Sequence, residues 1–128
     1  MEPEELASRL LKGISDLVVV DLRLEEEYAR FHIRGAVNVK LTDLPAFMRK
    51  NKGRELVVLY SNGMTHPSKA REALFHEGYR NVVILTGGLR GFLERCLKPV
   101  SLRPEPVDIE TEERIRAWRD YFHQPLGG

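Results

Sequence analysis

Cysteine is nearly absent from this sequence: Cys96 is its only one. A lone cysteine makes no intramolecular disulfide and no cysteine-based zinc centre, and a reducing cytosol is the simplest expected home. Histidine is sparse and scattered, at His32, His66, His76 and His123, with no His-x-His or His-Glu-x-x-His spacing. We therefore expect neither a metal nor a cofactor. Neither sign of charge dominates, because 20 Lys and Arg oppose 19 Asp and Glu for a net charge of +1. Such a balance gives no electrostatic reason to expect nucleic acid or an anionic membrane as partner. No apolar run approaches the roughly 20 residues of a transmembrane helix, so no membrane span is expected. The first residues carry Glu2, Glu4 and Glu5 where a secretory signal would be basic. There is no internal repeat and no low-complexity tract.

What is present suits one globular domain. The chain has 128 residues, of which 42% are apolar and 30% charged. That length and mixture allow a real core and exclude wholesale disorder. Pro3 to Lys12 reads as a helix, with Glu4 and Glu5 at its positive end, a Leu6, Leu10, Leu11 stripe and Gly13 just past its end. Leu17–Asp21 and Leu56–Tyr60 are nearly all apolar, as strands buried on both faces are. Shorter strands are expected at Ala36–Val39 and Val82–Leu85. Helical stretches are expected at Glu25–Arg30, Thr42–Lys50, Pro67–Glu77 (with Ala70, Leu74 and Phe75 inward) and Leu89–Leu97. Strands alternating with helices predict an α/β fold: a central parallel sheet flanked by helices in three layers. Ligands in such folds bind at the carboxyl ends of the strands, so the loops after Asp21, Tyr60 and Leu85 are the ones to inspect.

Residues 101–128 form a separate segment. Pro104-Glu105-Pro106 reads as an extended connector. An amphipathic helix is expected over Ile109–Phe122, with Ile115, Trp118 and Phe122 on one stripe. That stripe packs either on its own domain or on a partner, a second copy included. Pro125–Gly128 reads as a loose tail.

The most informative stretch is the strand, loop and helix over residues 56–78. A tight loop between a buried strand and a helix N-terminus aims several N–H groups at one point, which makes a cradle for an anion. The loop here is Ser61-Asn62-Gly63-Met64-Thr65-His66. Ser61 with His66 as base, oriented by Asp21, would be the parts of a hydrolase. The plainer reading leaves Ser61 as a loop hydrogen-bonding residue. Asp21 with Arg23 reads as an internal ion pair supporting the pocket.

At this point the sequence resembles the rhodanese-like domain family. Val20-Asp21-Leu22-Arg23 followed by Glu27-Tyr28 is similar to the family's Asp-x-Arg…Glu-Tyr stretch. Phe31-His32-Ile33-Arg34-Gly35-Ala36-Val37-Asn38-Val39 is similar to its Gly-His-Ile-x-Gly-Ala-x-Asn-x signature. Val57-Val58-Leu59-Tyr60 leads into the loop, with Lys69-Ala70 beyond. Gly78-Tyr79-x-Asn81-Val82 and Gly87-Gly88-Leu89 match the ending. The resemblance covers about residues 4–100, so we expect a domain over 1–100 and a connector with helix over 101–128. It implies transfer of a sulfane sulfur from a donor such as thiosulfate, through a cysteine persulfide held in a Cys-x-x-Gly-x-Arg loop. This chain departs from that pattern. Ser61 stands at the cysteine position, Met64 at the glycine and His66 at the arginine. A hydroxyl cannot carry a persulfide. The expectation is a module that has lost sulfur transfer and binds a small anion, a sulfur compound or a protein. The alternatives are sulfur transfer through Cys96 or a partner's cysteine, and a Ser-based hydrolase or a phosphatase. The last resembles the cell-cycle dual-specificity phosphatases, which share this architecture and also need a cysteine. Cys96 itself lies some ten residues past the Gly87-Gly88 turn and reads as inert, with Arg95 and Lys98 as basic neighbours.

Overall fold

The computed structural model describes residues 1–13 and 16–122. His123 and the expected tail at Pro125–Gly128 lie outside them. Four strands, β1 (Leu17–Asp21), β2 (Val37–Asn38), β3 (Leu56–Tyr60) and β4 (Val82–Ile84), form one sheet in the order β2-β1-β3-β4. All three pairings are parallel, with Val19 opposite Val58, Asp21 opposite Tyr60 and Leu59 opposite Ile84. The helices are α1 (Pro3–Lys12), α2 (Glu25–Arg30), α3 (Leu44–Lys50), α4 (Thr65–His76), α5 (Gly88–Phe92) and α6 (Ile109–Phe122). A 3-10 turn, Leu41–Asp43, leads into α3, and a π-helical turn, Leu93–Leu97, continues α5.

Side chains alternate across the sheet because successive residues of a strand point to opposite faces. Val19, Val58 and Tyr60 join one core with Leu6 of α1, Phe92 of α5 and Ile115, Trp118 and Phe122 of α6. Val20, Val57 and Leu59 join the other with Leu44 and Met48 of α3 and Ala70 and Leu74 of α4. The three expected layers are therefore present, with α1, α5 and α6 on one face and α3 and α4 on the other.

Several details differ from the sequence-based expectation. The helix after β3 starts at Thr65, so Thr65 and His66 belong to its first turn and the irregular loop is only Ser61–Met64. Pro67 is tolerated there because a first-turn N–H has no intrahelical partner to lose. Phe75 is exposed rather than inward, and its ring lies 3.9 Å from the Arg80 guanidinium. One step along a helix turns the side chain by about 100°, which carries Phe75 off the Ala70–Leu74 face. Leu11 is likewise exposed, off the face that buries Leu6. Strand β2 shrinks to two residues.

The C-terminal helix, open in sequence to a partner, packs on its own chain. Ile115, Trp118 and Phe122 are only 1%, 4% and 2% exposed. Phe122 meets Phe92 edge to face at 5.0 Å. The apolar stripe is thus covered by its own domain, the first of the two packings the sequence left open. Asp108, unmarked in the sequence reading, accepts the Thr111 N–H at 2.7 Å and caps the first turn. Among the described residues no helix is long and apolar enough to cross a membrane.

Candidate functional site

The loops after β1, β3 and β4 leave the same edge of the sheet. Parallel pairing in register sets Asp21 beside Tyr60, and Ser61 follows as the first residue past β3. Ser61 is 8% exposed, and its hydroxyl has no hydrogen bond among the described residues. Its carbonyl accepts the Leu89 N–H at 2.9 Å, tying the loop to the start of α5. Gly88 makes that approach feasible. Its φ is +63°, and a Cβ there would stand 2.6 Å from the Asn62 carbonyl oxygen and 2.8 Å from that of Ser61. Only a residue without a side chain fits both the left-handed backbone and the two carbonyls.

Beyond Ser61 the chain presents a run of unpaired donors. The N–H groups of Asn62, Gly63, Met64, Thr65 and His66 have no acceptor among the described residues. They open the twelve-residue helix α4, whose dipole adds positive potential at that end. Two side-chain bonds hold the loop's shape. Asn62 Nδ2 donates to Glu27 Oε2 on α2 at 2.7 Å, and the Gly87 N–H donates to the Met64 thioether at 3.3 Å. The sequence pattern flagged Asn62, Met64 and Glu27 by position but not these pairings, because they join segments 35 and 23 residues apart.

Beneath the loop lies a buried polar knot. The Asp21 carboxylate is fully buried and accepts from Arg23 at both oxygens, with Nη2–Oδ2 at 2.8 Å and Nε–Oδ1 at 3.1 Å. The Arg23 backbone N–H adds a third bond at 2.8 Å. Burial alone would lower the Arg23 pKa; the Asp21 bond and charge outweigh it and the net direction is up. Arg23 Nη2 also reaches the Phe31 carbonyl. The Tyr60 hydroxyl accepts the Ile33 N–H at 3.2 Å, and its pKa rises through burial and through the bond to and charge of Asp21. Tyr28 donates to the Ala36 carbonyl at 2.7 Å and stacks on His32 at 3.7 Å. His32 Nδ1 lies 2.9 Å from the Tyr28 carbonyl, an acceptor that places the proton on Nδ1. Asn38 donates to the carbonyls of Asp21 and Arg23. These motif residues knit β1, α2 and β2 together and make a fixed floor for the loop. Asp21 and Arg23 form a buried ion pair beneath the loop.

The hydrolase arrangement is not assembled. No bond joins Ser61 to His66 among the described residues, and His66 is exposed in the first turn of α4, beside Leu41 and Lys69. Asp21 is engaged by Arg23 and Tyr60 instead of a histidine. A hydroxyl without an adjacent base is a weak nucleophile.

Cys96 sits elsewhere, on the π-helical turn after α5, and is 0% exposed in the core shared with α1 and α6. Burial, then the charge of Glu4, pushes its thiol up from 9.0 to about 12. The basic neighbours do not reverse this. Arg95 pairs with Glu2 at 2.8 Å and Glu4 at 2.7 Å, and Lys98 with Glu94 at 3.6 Å. Neutral thiol in an apolar shell is the unreactive form.

A family model described as the rhodanese-like domain matches residues 2–95. Over 95 residues the chain is 35% identical to a tRNA uridine(34) hydroxylase of Staphylococcus saprophyticus, covering 70% of this chain and 29% of that protein. The corresponding hydroxylase of Enterococcus faecalis is 34% identical over 98 residues, covering 72% of this chain and 30% of that protein. The chain thus spans about 30% of the length of these curated relatives. Among solved structures, a rhodanese-like domain of an Anabaena protein is 26% identical with a TM-score of 0.63, covering 84% of this chain and 86% of that one. A rhodanese-like domain protein of Staphylococcus aureus shares the fold at a TM-score of 0.62 and 24% identity, covering 72% of this chain and 88% of its own. Ordered motifs, a parallel sheet with the loop Ser61–Met64 after β3, and the family match over residues 2–95 agree: the chain belongs to the rhodanese-like domain family.

Proposed function

We propose that this chain is a rhodanese-homology module that binds a small anion, through the loop Ser61–His66, and does not carry sulfur. The observation that carries the reading is Ser61 itself. By motif it stands where the family's persulfide-bearing cysteine stands, at the mouth of a loop with five N–H donors that have no acceptor among the described residues. Sulfur loading from thiosulfate needs a thiolate to attack the outer sulfur and expel sulfite. A serine hydroxyl offers no sulfur to extend, and Cys96 is buried and held neutral. The loop keeps what an anion needs: donors, a helix N-terminus and a fixed floor.

Two measurements test this. The purified chain has no thiosulfate:cyanide sulfurtransferase turnover, and thiosulfate or sulfate raises its melting temperature. Turnover that disappears in Cys96→Ser would overturn the first half. No anion effect on melting would overturn the second.

A second reading comes from the relatives named as tRNA uridine(34) hydroxylases. In it this chain supplies the rhodanese-like part of a tRNA-modifying system. Its near-neutral charge speaks against direct contact, since tRNA binding draws on an excess of Lys and Arg. A gel-shift titration with bulk tRNA at low salt separates the two, because the anion-module reading gives no shift.

A further inference from the structure

A groove of about 260 Å³ runs between α3 and α4, on the face of the sheet opposite α6. One wall is Leu41, Leu44 and Pro45; the other is a single face of α4. His66, Lys69 and Ala73 fall on that face because they recur at helical spacings of three and four, and Glu77, the residue that caps the helix end, follows four further on. Leu41 is 47% exposed at the rim, an apolar side chain left open to water. The middle of the groove is apolar and its ends are charged. Lys69 and Glu77 are eight positions apart, about 12 Å along the helix axis. Neither they nor His66 have an ion-pair or side-chain hydrogen-bond partner among the described residues.

The geometry points to a binding site for a small amphiphilic monoanion, a medium-chain or aryl carboxylic acid. Its carboxylate pairs with Lys69, beside His66, and its apolar body lies along Ala73 and Leu74 against the α3 wall. Charge sets the class. The lysine end attracts one carboxylate, and Glu77 at the far end repels a second, so diacids are excluded. Volume sets the size: the groove lies just below the about 300–1,000 Å³ of ordinary ligand pockets, which suits one short chain or ring. This site adjoins the loop donors of Asn62–His66 at His66 and does not depend on their binding an anion.

The test is an NMR titration of the ¹⁵N-labelled full chain with octanoate, 1-octanol and octanedioate. Octanoate produces saturable shifts in amides of residues 41–44 and 66–77. Octanol binds about fivefold more weakly, the worth of one partly exposed ion pair, and octanedioate is also weaker than octanoate. Lys69→Gln weakens octanoate about fivefold and leaves octanol unchanged. Ala73→Phe, at an exposed position, fills the groove and abolishes both while the spectrum stays folded. Equal affinity for octanoate and octanol, binding that survives Ala73→Phe, or saturable shifts confined to other residues would overturn the proposal. So would the absence of any saturable shift.

Discussion

Ser61, Gly88 and Cys96 carry most of the functional argument, each through a different piece of chemistry. Ser61 directly follows β3, a strand paired on both sides, so the sheet sets where it stands. Gly88 lets the turn after β4 press on the Ser61 and Asn62 carbonyls. Gly88→Ala adds left-handed strain of about 1–2 kcal/mol and a clash with two backbone oxygens. We expect a loss of more than about 2 kcal/mol by urea unfolding, together with loss of the anion's effect on melting. Cys96 predicts a pH dependence. Its folded pKa, about 12, lies above the ordinary 9.0, so the folded state holds a proton that the unfolded state releases. The stabilising contribution is complete below pH 9 and is lost as pH rises towards 12, at up to about 1.4 kcal/mol per pH unit for one proton. Tyr60, also raised, acts in the same direction. Urea unfolding between pH 8 and 11 shows this slope in the wild type and a shallower one in Cys96→Ala.

At the scale of elements, α6 is the piece for which the structure decides between two packings the sequence left open. Its helical stripe was readable from the Ile115, Trp118, Phe122 spacing, but a stripe does not say what covers it. The structure buries it against α1 and α5. Trp118→Ala then leaves a cavity in a core and costs about 3–5 kcal/mol, a large part of a domain's usual stability. Ile109→Ala, at an exposed site on the same helix, changes stability by less than about 0.5 kcal/mol. Equal effects would mean that α6 is not part of the core. The strands β1 and β3 were legible as unbroken apolar runs, because both their faces are covered. The start of α4 was not, because Pro67 fits any position of a first turn. Phe75 was misplaced because Leu74 and Phe75 are adjacent, and sequence alone does not say which of two apolar neighbours faces in. The loop between β3 and α4 was legible from its place in the strand–helix pattern. The Asn62–Glu27 bond, the Met64 contact with Gly87 and the groove between α3 and α4 were not, since each joins elements that only the folded chain brings together.

For the whole molecule, one architecture carries both proposed sites, which adjoin at His66. The edge of the sheet holds the donor-rich loop, and the face covered by α3 and α4 holds the groove. The buried Asp21–Arg23–Tyr60 knot fixes the first, and the spacing along α4 fixes the second. The central claim is that this rhodanese-like domain keeps the loop and lacks the sulfur-carrying atom. It is tested most directly by intact-mass spectrometry of the wild type and Ser61→Cys after incubation with thiosulfate. The account predicts no added sulfur on the wild type and one cyanide-removable sulfur on Ser61→Cys, because the new thiol would lie among the unpaired N–H donors. A cyanide-removable sulfur on the wild type would contradict it, and would make Cys96 the carrier despite its burial.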